Sequence, residues 1–146
     1  MRQISLLELD DCRAIVIAAQ AEADRRGAVV SLAVVDAGGH PLLVERRDGA
    51  SPASVEAALA KARMAALNGK STEAMEAAIN GQRPALMQLS GAMGEPTLAM
   101  AGGLPLMIQG VCLGAVGVSG MTPDVDGAIA TAGVAALPQS SLEPSP

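Results

Sequence analysis

The sequence predicts an α/β fold of the α+β kind, an antiparallel sheet of about five strands with helices on both faces. Three observations carry this expectation. Runs rich in Val and Leu are joined by short turns, one around Asp36 to His40 and one at Gln109-Gly110. Hairpins of this kind imply antiparallel neighbours without a long crossover. Helical patterns precede, separate and follow those runs. The chain has 146 residues, half of them hydrophobic, which suits one domain around one core. That domain is expected over residues 1–137, and PQSSLEPSP, 138–146, as a disordered tail with no means of burying itself.

The first helix is read in SLLELDDCRAIVIAAQAEADRRG. Ser5 and Glu8 form a capping box, Gly27 suits the left-handed position past the end, and Arg25 and Arg26 complement the negative pole. Leu9, Cys12, Val16, Ala19 and Ala23 make its apolar stripe. In VVSLAVVDAGGHPLLVERRDG the glycines supply the turn. Pro41 lacks an N–H, so it must begin its strand or lie at an edge.

A second helix runs from the N-cap Ser51, with Pro52 at the first position, to Gly69. A shorter one spans Ser71 to Gly81, and Pro84 to Ser90 adds one or two turns. Gly91 to Gly103, rich in Gly, Met and Pro, has no firm assignment and could hold a short strand around Thr97 to Met100. PLMIQGVCLGAVGVSG then holds two strands. MTPDVDGAIATAGVAAL is the last helix, with Thr122 as N-cap, Pro123 first, and Asp124 and Asp126 in the first turn.

Composition excludes some functions. Phe, Tyr and Trp are absent, so the core is aliphatic and eight methionines fill irregular gaps. A net charge of −5 opposes nucleic-acid binding, which needs clustered cations and, for single strands, aromatic stacking. No run approaches the roughly 20 apolar residues of a membrane helix. Glu8, Asp10 and Asp11 interrupt any signal-peptide core in the first residues. Cys12 and Cys112 lack metal-ligand spacing and read as buried thiols of a cytoplasmic protein.

One segment gives up packing volume: GAVGVSG, Gly114 to Gly120. With period two, Ala115, Gly117 and Ser119 share a face that has almost no side-chain volume. Either an alanine-rich helix packs closely there, the favoured expectation, or a ligand lies flat on a shelf at Gly117, Ser119 and Gly120. The following helix start offers free N–H groups to an anion, although Asp124 and Asp126 already complement it.

AVVDAGGHPLLVERRDGA, KARMAAL, GGLPLMIQG and GAVGVSGMTPDVDGAIATAG occur in this order and together resemble the GlcG/HbpS-like family, which is related to the C-terminal domain of PduO-type proteins. The resemblance runs from about Ser5 to Leu137. It implies a profilin-like sandwich around an antiparallel sheet, assembly into homo-oligomers, and for some relatives haem binding or a part in catabolism. Fold membership alone does not assign a function.

The candidate site residues follow. His40 is the only histidine, hence the one conventional nitrogen ligand for haem iron or another metal, with a solvated turn residue as the plain alternative. Met64, Met93, Met100, Met107 and Met121 could ligate through sulfur, but such residues more often fill a core. The charged set is Asp36, Arg46, Asp48, Lys61 and Arg63. Arg46 and Asp48 match the family's R-x-D-G pattern and Lys61 its K-A-R motif. Lys61 could hold a carboxylate or haem propionate, or act as a base; the plain reading is an ion pair from Lys61 or Arg46 to Asp48.

Three functions follow from these candidates. The first is a small-ligand binder, for haem or a related tetrapyrrole. The second is a cofactor-independent isomerase or lyase on a small oxo or hydroxy acid, with Arg46 binding carboxylate and Lys61 or Asp48 moving a proton. The third is an accessory protein that works through its oligomeric surface.

Overall fold

The computed structural model describes residues 1–138. Their elements run α1 (Leu9–Arg25), β1 (Ser31–Asp36), β2 (Pro41–Arg46), α2 (Pro52–Asn68), α3 (Thr72–Asn80), a 3-10 turn (Pro84–Gln88), α4 (Leu89–Ala92), β3 (Gly103–Ile108), β4 (Val111–Ser119) and α5 (Pro123–Val134). The strands form one antiparallel sheet in the order β2-β1-β4-β3. The proposed tail lies outside the described residues except for Pro138.

The period-two alternation of β1 and β4 divides the interior into two layers. Leu32, Val34, Val116 and Val118 face α1 and α5 and join Cys12, Ile15, Val16, Ala19 and Ile129 in the larger core. Ala33, Val35 and Ala115 face the other way, onto Ala58, Ala62, Ala65 and Ala66 of α2. The first layer is filled mainly by branched side chains and the second mainly by methyl groups. Helix α2 therefore sits much closer to the sheet.

Gly117 marks the tightest point of that approach. A Cβ there would run into the Ala58 carbonyl oxygen and lie 2.8 Å from the Ala62 nitrogen. The small-residue face of GAVGVSG is the bed of α2.

Most helix ends fall where their capping residues stand. Ser51 and Ser71 accept from Ser54 N and Ala74 N, and Gly69 takes the left-handed conformation at the end of α2. Pro41 opens β2, an edge strand, where its missing N–H costs no ladder bond.

Two expectations are corrected. The capping box of α1 joins Glu8 to Asp11, not Ser5 to Glu8: Glu8 N donates to Asp11 Oδ2 at 2.8 Å. Residues before Glu8 are outside the helix, and Leu7 packs near Gly114 of β4. The stripe shifts accordingly, with Ile15 fully buried and Leu9 half-exposed. The sheet also has four strands, not five. Thr97 to Met100 is not a strand, because the hydrogen bonds of this stretch go to helices: Leu98 N donates to Ala60 O and Ala101 N to Glu76 Oε2.

Candidate functional site

The expected site residues separate toward the two ends of the sheet. Asp36 of β1 pairs with Gly114 at one end and Ser31 with Ser119 at the other, a strand length of about 16 Å apart at ~3.3 Å per residue. His40 belongs to the first end; Lys61, Arg46, Ser119 and Gly120 belong to the second.

At the second end, Lys61 is buried. Its Nζ donates to Val118 O at 3.0 Å and to Asp126 Oδ2 at 3.3 Å. Asp126 Oδ1 also accepts the Met121 N–H at 3.0 Å, so one carboxylate ties α2 to the start of α5. Arg46 and Asp48 are exposed and form no ion pair among the described residues. The ion pair expected between Lys61 or Arg46 and Asp48 is thus made by Lys61 with Asp126. Lys61 serves the fold at this point, and the isomerase or lyase reading gains no support from it.

Ser119 is half-buried beside Ser31, whose hydroxyl is 2.7 Å from that of Ser54. Gly120, at φ 139°, lies against Val29 and Val30.

At the first end, Asp36 organises the turn that carries His40. Its Oδ1 accepts from Gly38 N at 2.9 Å and from His40 N at 3.0 Å. The backbone closes the same turn through Gly39 N to Asp36 O and Asp36 N to His40 O. Gly39 takes φ 81°, a conformation that favours glycine. The His40 side chain is 80% exposed, and its Nδ1 lies 3.3 Å from Asp36 Oδ1. Nε2 is the ring nitrogen away from that carboxylate, with no partner among the described residues.

The other face of this turn rests on α2. Arg63 Nε donates to Gly39 O at 3.2 Å, and a Cβ on Gly39 would touch the stems of Arg63 and Leu67. Beside the turn lies an open groove of about 290 Å³, whose lining includes Ile4, Leu6, Asp36, Gly38, Leu42 and Cys112. Ile4, Leu6 and Leu42 of its lining keep apolar surface in solvent, as does Leu67 of α2. Cys112 is half-buried, a correction to its expected burial, with Sγ 3.3 Å from Gly114 O and 3.6 Å from Ala66 O. Met64 is buried in the fold, and no methionine lines the groove.

Sequence reasoning missed the function of Asp36, although the spacing Asp-x-Gly-x-His is a signal for a carboxylate that bonds its own turn. It also missed the pairing of Lys61 with Asp126. Among the described residues there is no cluster of three or more His, Cys, Asp or Glu suited to a metal ion, and no helix is long and apolar enough to cross a membrane.

Comparison with known proteins adds to this geometry. A family model described as haem degrading protein HbpS-like matches residues 7–135. Protein GlcG of Escherichia coli strain K12 is 36% identical over 120 residues, covering 82% of this chain and 85% of GlcG. A crystal structure of a double mutant of HbpS from Streptomyces reticuli superposes with a TM-score of 0.84 at 33% identity, covering 95% of this chain and 92% of that one. A crystal structure of a PduOC–haem complex superposes with a TM-score of 0.81 at 26% identity, covering 90% of this chain and 95% of that one.

Proposed function

The chain belongs to the HbpS-like family, and we propose that it binds haem or a related tetrapyrrole beside the β1–β2 turn, with His40 Nε2 as the iron ligand. One observation carries the reading: the only histidine of the chain is exposed on the turn whose Asp36 and Gly38 line an apolar groove, with its Nδ1 beside a carboxylate. Metal-bound histidines have a second group beside their other nitrogen in the same way, which orients the ring. The solved haem complex of a similar chain supports the same ligand class.

The residues present fit the group in kind. An imidazole nitrogen is a standard axial donor, and bound haem would supply an iron centre that accepts it. Leu42, Leu6 and Ile4 offer apolar contact without any aromatic side chain. A groove of about 290 Å³ is at the lower limit of small-molecule sites, roughly 300–1,000 Å³. It accepts one edge of a macrocycle, and a homo-oligomer would close the open side with a second copy of the chain.

The test is titration of the purified protein with haemin. Saturation at one equivalent per chain with a shifted Soret band is the expected result. An unsaturable, linear rise would mean that haemin only partitions onto apolar surface, and would exclude the reading.

A further inference from the structure

Resting on the haem reading, we propose that Arg63 is a carboxylate receptor of the same site, so that the site prefers an anionic tetrapyrrole to an uncharged one. Lys61, the cation that the sequence offers for this task, is held in the interior by Asp126 and Val118 O. Arg63 lies two residues further along α2. Side chains two apart on a helix point to different faces, about 200° apart. This one reaches the turn.

The placement of Arg63 is specific. Its Nε is bonded to Gly39 O, the carbonyl of the peptide bond that leads into His40. That bond fixes the guanidinium at the backbone carbonyl one residue before His40. The stem is packed against Gly39, so the head group is positioned and not free to wander. Among the described residues, the other two guanidinium nitrogens have no hydrogen-bond partner and Arg63 forms no ion pair.

A half-buried arginine with a free fork is matched by a carboxylate, which accepts two parallel N–H bonds. The neighbouring Asp36 makes the need sharper. It places negative charge beside His40, which repels an anionic ligand unless a cation close by offsets it. Arg63 holds that position, from the α2 side of the turn.

The experiment compares haemin with its dimethyl ester, in which both propionates are neutral, on wild type, Arg63→Gln, Arg63→Lys and His40→Ala. Arg63→Gln is expected to weaken haemin by roughly tenfold, the worth of one charge-assisted contact of ~1.4 kcal/mol, and to leave the ester unchanged. Arg63→Lys keeps the charge and is expected to recover part of the loss. Equal weakening of both ligands by Arg63→Gln would mean that Arg63 only holds the turn in shape, and would overturn the inference. No effect on either ligand would overturn it as well. If His40→Ala binds both ligands as wild type does, the haem site itself is misplaced, and the two proposals fall together.

Discussion

Lys61 and Asp126 meet in the interior with side chains 4% and 3% exposed, their charged atoms 3.3 Å apart. The pair joins α2 to α5 across the end of β4, since Lys61 also holds Val118 O and Asp126 also holds Met121 N. An ion pair so far from water is weak evidence of net stabilisation, because desolvating both charges offsets their attraction. Removing one partner is a different matter.

Lys61→Met leaves Asp126 buried without its cation. We expect a loss of about 3–5 kcal/mol of stability, read as the shift in the urea unfolding midpoint by circular dichroism. Adding Asp126→Leu to the same chain removes the stranded charge and is expected to restore most of the loss. A single mutant as stable as wild type would show that the pair is solvated in solution.

Gly117→Ala places a methyl group against the backbone of α2, at Ala58 O and Ala62 N. Neither atom belongs to a flexible side chain, so the helix must lift from the sheet. The expected cost is about 3 kcal/mol or more, seen in the thermal midpoint. Gly27→Ala is an informative contrast. No atom lies within 4 Å of its added Cβ, and the only cost is the left-handed backbone, about 1 kcal/mol.

Glu22 on α1 gives a pH signature. Hydrogen bonds from Arg25 and then Arg26 lower its carboxyl from 4.5 to about 2. The folded value is depressed, so the stabilisation is fully present above about 4.5 and is lost as pH falls towards about 2. Thermal midpoints of wild type and Glu22→Gln should therefore differ near neutrality and converge on acidification. A gap that is constant with pH would mean that the effect of the substitution is not electrostatic.

The two thiols should react differently. Cys12 is fully buried, and burial, followed by the nearby Asp11, pushes its thiol above the ordinary range. Cys112 is half-buried on the groove wall. One thiol per native chain should react with a disulfide reagent, Cys112, and both after unfolding. Haemin at saturation should slow the labelling of Cys112. Equal labelling with and without haemin would place the ligand away from the groove.

Local rules made much of the fold readable. Ser51, Ser71, Gly69 and Pro41 each mark a boundary through a conformation or hydrogen bond that the neighbouring few residues determine. The start of α1 was misread by the same kind of rule, since Ser5 with Glu8 fits the usual box in sequence and Glu8 with Asp11 does not. The segment before Glu8 leaves the helix, with Leu7 packed near Gly114. The stretch around Thr97 carries no firm local pattern, and the Leu98 and Ala101 N–H groups find helix acceptors in Ala60 and Glu76, far away in the chain.

The site was half legible. The proposed donor, His40, and the turn that presents it are local, and the Asp36 carboxylate beside its ring is four residues away. Arg63 and the groove are not local. A helix 23 residues after the histidine brings the guanidinium back to Gly39, at |i−j| = 24, and no motif encodes that distance. Lys61 drew attention because a cation among alanines is conspicuous, yet its partner lies 65 residues away and both are consumed by the fold.

The central claim is that His40 ligates haem iron, and the most direct test is the spectrum of the haemin complex in wild type beside His40→Ala. Because His40 is exposed at a turn closed mainly through its backbone, the substitution should leave the thermal midpoint almost unchanged. The account predicts a shifted, saturable Soret band with the signature of nitrogen ligation in wild type, and its loss in His40→Ala. The same band at the same affinity in both proteins would contradict it.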